Sequence, residues 1–152
     1  MKIKSLLFVV FAGILVVSCI SAKSTLKNVD ENAPEPILTE KGWFLITEYA
    51  KDKKYGYDKD YPINVFYKNV KDEEINQKRF LDALTGPKGE TISYKKLESC
   101  CPFPTKRGDS GAGFLDIYEV TYPGLKKPLK LYFNIYEKGY LLVPKGFGLK
   151  KQ

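Results

Sequence analysis

Histidine is absent from the 152-residue sequence. Without an imidazole the chain can form neither a Ser-His-Asp nor a Cys-His catalytic arrangement, and it offers no histidine ligand to a metal ion. The tetrapeptide at residues 108–111 (GDSG) copies the sequence around the nucleophile of trypsin-like proteases. The base that would take the serine proton is missing, however, and nothing places a lysine base beside Ser110. We interpret the segment as a glycine-rich loop that leads into a strand at Phe114. The sequence therefore predicts no catalytic residue, no metal site and no cofactor.

Long apolar runs are also lacking, apart from residues 5–17 near the amino terminus. Thirteen residues are too few to cross a bilayer as a helix, which takes about 20, and their position behind Lys2 and Lys4 is typical of a signal peptide. The run ends in the sequence VVSC at residues 16–19, which resembles the lipobox of bacterial lipoproteins. The lipobox pattern prefers leucine at the position of Val16.

The lipobox resemblance implies that residues 1–18 are a lipoprotein signal peptide and that lipid on Cys19 anchors the mature chain to a membrane. An ordinary secretory signal with an incidental cysteine is the alternative. Ile20 stands where an aspartate would resemble an inner-membrane retention signal, and no acidic run resembling a surface-export signal follows directly. We therefore expect the mature protein in the cell envelope, on the outer membrane and facing the periplasm.

Cysteine is scarce, and two of the three cysteines are the adjacent pair Cys100 and Cys101. An exported protein lies in an oxidising compartment, where free thiols need an explanation. A structural metal site built from thiolates usually needs four ligands, and a redox motif would have C-x-x-C spacing, which is absent. We predict a vicinal disulfide between Cys100 and Cys101. Two reduced and buried thiols, thiolate metal ligands and an intermolecular disulfide are the alternatives.

Positive charge exceeds negative charge in the mature chain, because loss of Lys2 and Lys4 lowers the 25 basic residues to 23 against 18 acidic ones. Such a surplus favours anionic lipid headgroups or acidic polymers. The lysines are spread among carboxylates, which is typical of solvated surfaces. Together with export, this pattern predicts no nucleic-acid partner. The 11 tyrosines suit half-buried strands, and they could also form a surface for an envelope protein or a glycan.

The domain boundaries follow a change in composition. Residues 22–39 are polar and contain Pro34 and Pro36, so we expect residues 19–41 to be a mobile, lipid-anchored tether. Residues 42–152 should form a single α+β domain, with an antiparallel sheet of about five or six strands and one main helix. The helix is expected over residues 69–85, capped by Asn69 or Asp72 and stopped by Gly86 and Pro87.

The strands are predicted from alternating apolar and polar residues and from β-branched and aromatic content. The last two strands should form a hairpin, because Pro123 and Gly124 stand where a type II turn needs them. The segments concerned are residues 43–47, 63–67, 92–97, 114–122 and 129–136.

Short segments of the chain resemble a family of small envelope lipoproteins of Bacteroidetes with a Cys-Cys-Pro-Phe motif. They are residues 55–57 (YGY), 62–65 (PINV), 79–84 (RFLDAL), 86–87 (GP), 99–103 (SCCPF) and 115–122 (LDIYEVTY). The resemblance covers about residues 42–149. Members of the family are often named 2-dehydro-3-deoxyphosphooctonate aldolase, which implies an enzyme. That aldolase class is a TIM barrel of about 250 residues, whereas the mature chain has 134, so no catalytic residue is carried over from it.

These observations predict a membrane-anchored, non-enzymatic binding or assembly module with an unknown ligand. The alternative is an enzyme, either the aldolase of the family name or a thiol-dependent activity at Cys100 and Cys101. A pocket lined by polar groups beside the cysteines would favour the enzyme, whereas buried cysteines without a cleft would favour the module.

Overall fold

The structure, a computed structural model, describes residues 23–67 and 74–151. These residues form six strands and one short helix. The elements are β1 (Ile63–Asn64), α1 (Ile75–Leu81), β2 (Leu84–Thr85), β3 (Ser93–Pro104), β4 (Ala112–Thr121), β5 (Leu129–Asn134) and β6 (Gly148–Leu149). A four-stranded sheet has the order β1-β5-β4-β3, and β2 pairs with β6 in a separate two-stranded sheet. The mostly-sheet architecture with one helix that the sequence predicts is thus confirmed in the described part.

The two strands that were predicted to form a hairpin lie at the centre of the large sheet. β4 and β5 pair antiparallel, with Tyr118 opposite Leu131. Their hairpin turn is as predicted, since the Leu125 amide donates to the Tyr122 carbonyl at 3.1 Å and Gly124 has φ +89°. β3 also pairs antiparallel with β4. The sheet is nevertheless mixed, because β1 runs parallel to β5.

Four expected elements are shorter than predicted, and one of them, the strand expected over residues 129–136, ends at Asn134. The strand expected over 43–47 makes only an isolated bridge, from Phe44 to Leu38, and the strand expected over 63–67 is paired only at β1. The helix ends at Leu81 because the following residues pair with β6 instead. The predicted caps Asn69 and Asp72 lie outside the described residues.

The main core lies between one face of the sheet and helix α1. Phe80 of the helix packs edge-on against Phe133 of β5, with ring centroids 5.6 Å apart. Tyr118 of β4 packs on the same ring at 5.3 Å. All three side chains are buried, so burial of these aromatic groups contributes strongly to the free energy of folding.

The segment before residue 40 packs on the domain where the structure describes it. Leu26 is buried in a second cluster with Phe103 and Leu115 on the other face of the sheet. The Lys27 amide donates to the Asp60 carbonyl at 2.8 Å, and the Asn28 side-chain amide donates to the Pro62 carbonyl at 2.7 Å. This packing differs from the mobile segment expected over residues 22–39. The difference arises because isolated apolar residues, above all Leu26, find partners that are distant in sequence.

No helix among the described residues has both the length and the apolar character required to span a membrane.

Candidate functional site

Two adjacent cavities lie on either side of Leu26, where the amino-terminal segment meets the sheet. The larger, the amino-terminal cavity, has a volume of about 570 Å³, within the range of small-molecule sites. Leu26 and Val29 form its apolar wall. Its charged residues are Lys23, Glu31, Lys106, Arg107 and Glu137. The smaller, the cysteine cavity, has a volume of about 220 Å³ and lies beside Cys101.

Arg107 joins two carboxylates in the wall of the amino-terminal cavity. Its Nη1 donates to Glu137 Oε2 at 2.7 Å and to Glu31 Oε1 at 2.9 Å. Its Nη2 donates to Glu31 Oε2 at 2.8 Å. The guanidinium also lies over the Phe66 ring at 4.6 Å. This forked geometry is the strongest arrangement for an arginine–carboxylate pair, and it links the amino-terminal segment to the loop between β3 and β4 and to the residues after β5.

The two carboxylates have different environments. The hydrogen bond from Arg107 lowers the pKa of the exposed Glu31 side chain. Burial raises the pKa of Glu137, although hydrogen bonding from Thr105 and the charge of Arg107 oppose that rise. Glu31 in turn raises the pKa of the guanidinium of Arg107. Arg107 therefore forms ion pairs with both Glu31 and Glu137. Such paired groups suit a rigid cavity wall better than acid–base chemistry.

Replacing Arg107 should lower the stability of the protein in a pH-dependent way, because Arg107 is electrostatically coupled to Glu31 and Glu137. In Arg107→Met, Glu137 is left buried without its cation, and we expect the free energy of unfolding to fall by about 2 kcal/mol at pH 7. Without Arg107 the pKa of Glu137 should rise further above its ordinary value of 4.5, and Glu31 should lose its lowered pKa. Both changes disfavour the ionised carboxylates in the folded variant. The difference in unfolding free energy between wild type and the variant should therefore shrink as the pH falls towards about 4.5.

Urea unfolding at several pH values measures this deficit. The double variant Arg107→Met/Glu137→Met is the matched control, because it removes both the cation and the buried carboxylate and should recover most of the stability. A deficit that is independent of pH, or a double variant as unstable as the single one, would contradict the coupling.

Cys100 and Cys101 are joined by a disulfide in the structure. They lie at an irregularity of β3, where the register shifts between Cys100 and Phe103. Cys101 has φ 56°, a left-handed conformation that is uncommon for a residue with a side chain. The bulge turns Cys101 towards the cluster that holds Leu26. The redox state of the pair in the native protein stays a prediction.

Polar groups lie in the cysteine cavity together with Cys101. They are Thr25, Lys59 and Asp60. The hydrogen bond from Lys59 lowers the pKa of Asp60, and the two side chains form an exposed ion pair at 2.7 Å. A polar cavity beside the cysteines is the feature that favours a thiol-dependent activity over a purely structural role.

The GDSG loop contributes to the site by positioning Arg107, the residue that precedes it, and not through Ser110. Ser110 is exposed. Gly108 lies so close to the chain that an added Cβ would fall 1.8 Å from the Ala112 carbonyl oxygen, so the tight turn needs a glycine there. This turn, which leads into β4, carries Arg107 at its start.

The tyrosines at residues 55–57 link two loops of the domain through hydrogen bonds. The Tyr55 hydroxyl donates to the Tyr140 carbonyl at 3.1 Å, and the Tyr57 hydroxyl donates to the Lys145 carbonyl at 2.5 Å. Burial raises the pKa of Tyr57 to about 12. Their role is thus structural.

A second polar cluster fixes the helix to the sheet. The buried carboxylate of Asp116 accepts from Ser99 Oγ at 2.6 Å and from Gln77 Nε2 at 2.8 Å. Lys96 Nζ lies 3.0 Å from the same carboxylate. Because Lys96 neutralises the Asp116 carboxylate, and Ser99 and Gln77 donate to it, we interpret the cluster as structural.

The sequence did not indicate the members of the amino-terminal cavity. Glu31 and Arg107 are 76 positions apart, and no motif connects them. The available signals were two isolated apolar residues, Leu26 and Val29, within a polar segment. No group of three or more metal-ligating side chains occurs in residues 23–67 and 74–151.

Comparison with protein-family models, with curated proteins and with solved structures finds no match to this chain.

Proposed function

We propose that this protein is a lipid-anchored envelope lipoprotein of the outer membrane, facing the periplasm, and that its domain is a non-enzymatic binding module. The amino-terminal cavity is its ligand site. The observation that carries this proposal is the position of Leu26, which forms a wall of the cavity only seven residues after Cys19. The predicted lipid anchor and the cavity are therefore neighbours.

The groups in the cavity favour binding over catalysis. Glu31 and Glu137 are both held by Arg107, so neither carboxylate is free to act as a nucleophile or a base. Lys23 and Lys106 are exposed at the cavity, and no ion pair of theirs is found among the described side chains. Their charge favours an anionic ligand, while Leu26 and Val29 favour a ligand with an apolar part.

Blocking the cavity should remove the ligand from protein isolated from the envelope. The exposed Lys106 can be replaced by tryptophan without disturbing a core, and Lys88→Trp, at an exposed lysine of a different groove, is the matched control. In native mass spectrometry, wild type and Lys88→Trp should carry a bound small molecule, and Lys106→Trp should lose at least nine-tenths of it (about 1.4 kcal/mol per tenfold). Absence of a ligand from wild type, or equal retention by all three proteins, would contradict the assignment.

An enzyme is the second candidate, because polar groups and a cavity lie beside Cys101. In such an activity a dithiol substrate would be oxidised to its disulfide, and Cys100–Cys101 would take up the two electrons and two protons as thiols. Incubation with dithiothreitol analogues and titration of protein thiols tests this, with Cys100→Ser/Cys101→Ser as the inactive control. The aldolase of the family name is tested separately by phosphate release from phosphoenolpyruvate and arabinose 5-phosphate.

A further inference from the structure

The packing of the amino-terminal segment limits how far the domain can stand from a lipid on Cys19. Cys19 lies seven residues before Leu26, and a fully extended chain spans at most about 3.5 Å per residue, or about 25 Å here. From Leu26 onward the segment is held to the domain by burial and by backbone hydrogen bonds. The bilayer's headgroup region is itself about 5–8 Å deep on each side. If Cys19 carries lipid, the part of the domain that carries Lys23 stays within about 25 Å of the anchor and close to the membrane surface.

Exposed lysines surround this part of the domain. Lys23 and Lys106 lie at the amino-terminal cavity. The exposed Lys27 lies beside the adjacent cysteine cavity, since its backbone amide donates to the carbonyl of Asp60, which lines that cavity. We call Lys23, Lys27 and Lys106 the lysine face.

Three nearby carboxylates, Glu31, Asp60 and Glu137, are paired with cations other than the lysine face, and with Lys59 and Arg107 the region has five positive charges against these three negative ones. Arg107 binds both Glu31 and Glu137, and Lys59 binds Asp60. No ion pair involves the lysine face in the part of the chain that the structure describes. A surplus of positive charge therefore remains on the surface next to the predicted anchor.

We infer that the lysine face lies flat against the membrane that holds the anchor and binds the phosphate groups of anionic phospholipids. The inference rests on the proposed anchoring at Cys19 and identifies the partner of this face as the lipid surface itself. Lysines close to an anionic bilayer are attracted to it individually, and the attraction is screened by salt. The lipid anchor thus holds the domain near the membrane, and the lysine face fixes which side of the domain meets it.

The chain contains a matched set of lysines for a control. Lys88, Lys126 and Lys127 are exposed and line a separate groove beside the β4–β5 turn. This groove lies at the far end of β4 from Lys106, and ten strand residues span about 30 Å. Removing these three lysines changes the net charge as much as removing the lysine face does.

Vesicle sedimentation of residues 20–152 tests the inference without the lipid. This chain retains every residue of both core clusters. The probe is a vesicle of three parts phosphatidylcholine to one part phosphatidylglycerol, with pure phosphatidylcholine vesicles for comparison. Wild type should bind only the anionic vesicle, and about 1 M salt should release it. Lys23→Gln/Lys27→Gln/Lys106→Gln should lower the partition constant at least about tenfold. Lys88→Gln/Lys126→Gln/Lys127→Gln should change it by less than about twofold.

Three results would overturn the inference: no binding of wild type, equal losses in the two triple variants, or displacement by inorganic phosphate at matched ionic strength. Equal losses would mean that only net charge matters, and displacement would mean a site for free phosphate. Thermal unfolding of each variant confirms that it is folded. The assay does not depend on acylation, so failure of the proposed anchor, read separately on the full chain, is distinguishable from failure of the lysine face.

Discussion

Leu26→Ala should lower the free energy of unfolding by about 3 kcal/mol in urea titrations of residues 20–152. The side chain is buried, with 9% of its surface exposed, against Phe103 and Leu115. Truncation of a buried leucine to alanine removes apolar contacts and leaves a cavity, which typically costs about 2–5 kcal/mol. Such a loss is a large part of the stability of a domain of this size.

Ile37→Ala is the matched control within the same amino-terminal segment. Ile37 has 63% of its surface exposed, so its truncation should change the free energy of unfolding by no more than about 0.5 kcal/mol. If both variants were equally stable, residues 23–39 would be a mobile tether, as their composition suggests. That result would contradict the packing of Leu26 on the domain. It would also contradict the inference that Cys19 lies close to the cavity.

The sheet could be predicted from the sequence wherever local pattern decides the structure. Residues 129–134 alternate with period two, and Pro123-Gly124 specifies the turn before them, so the β4–β5 hairpin needed no distant information. The helix was predicted in kind but not in length. Leu84 has the apolar character of a helix face, yet it pairs with Leu149 near the other end of the chain.

The candidate site could not be predicted from the sequence, because residues that are far apart in the sequence form it. A polar segment with few large apolar residues reads as a linker, and only the apolar surface of Phe103 and Leu115 makes Leu26 a core residue. Glu31 and Arg107 likewise acquire their roles by meeting across the fold. The adjacent cysteines were noticed from sequence, but their position beside a cavity depends on the bulge in β3.

The central claim is that Cys19 carries a lipid beside a site that the same segment builds. Its most direct measurement is metabolic labelling of the full chain with a clickable fatty acid, followed by gel fluorescence and intact mass. Wild type should incorporate the label and appear as the form cleaved before Cys19. Cys19→Ala should incorporate none and remain an uncleaved precursor, whereas Cys100→Ser/Cys101→Ser, the control for the other cysteines, should be labelled like wild type. Equal labelling of wild type and Cys19→Ala, or no label in either, would contradict the account.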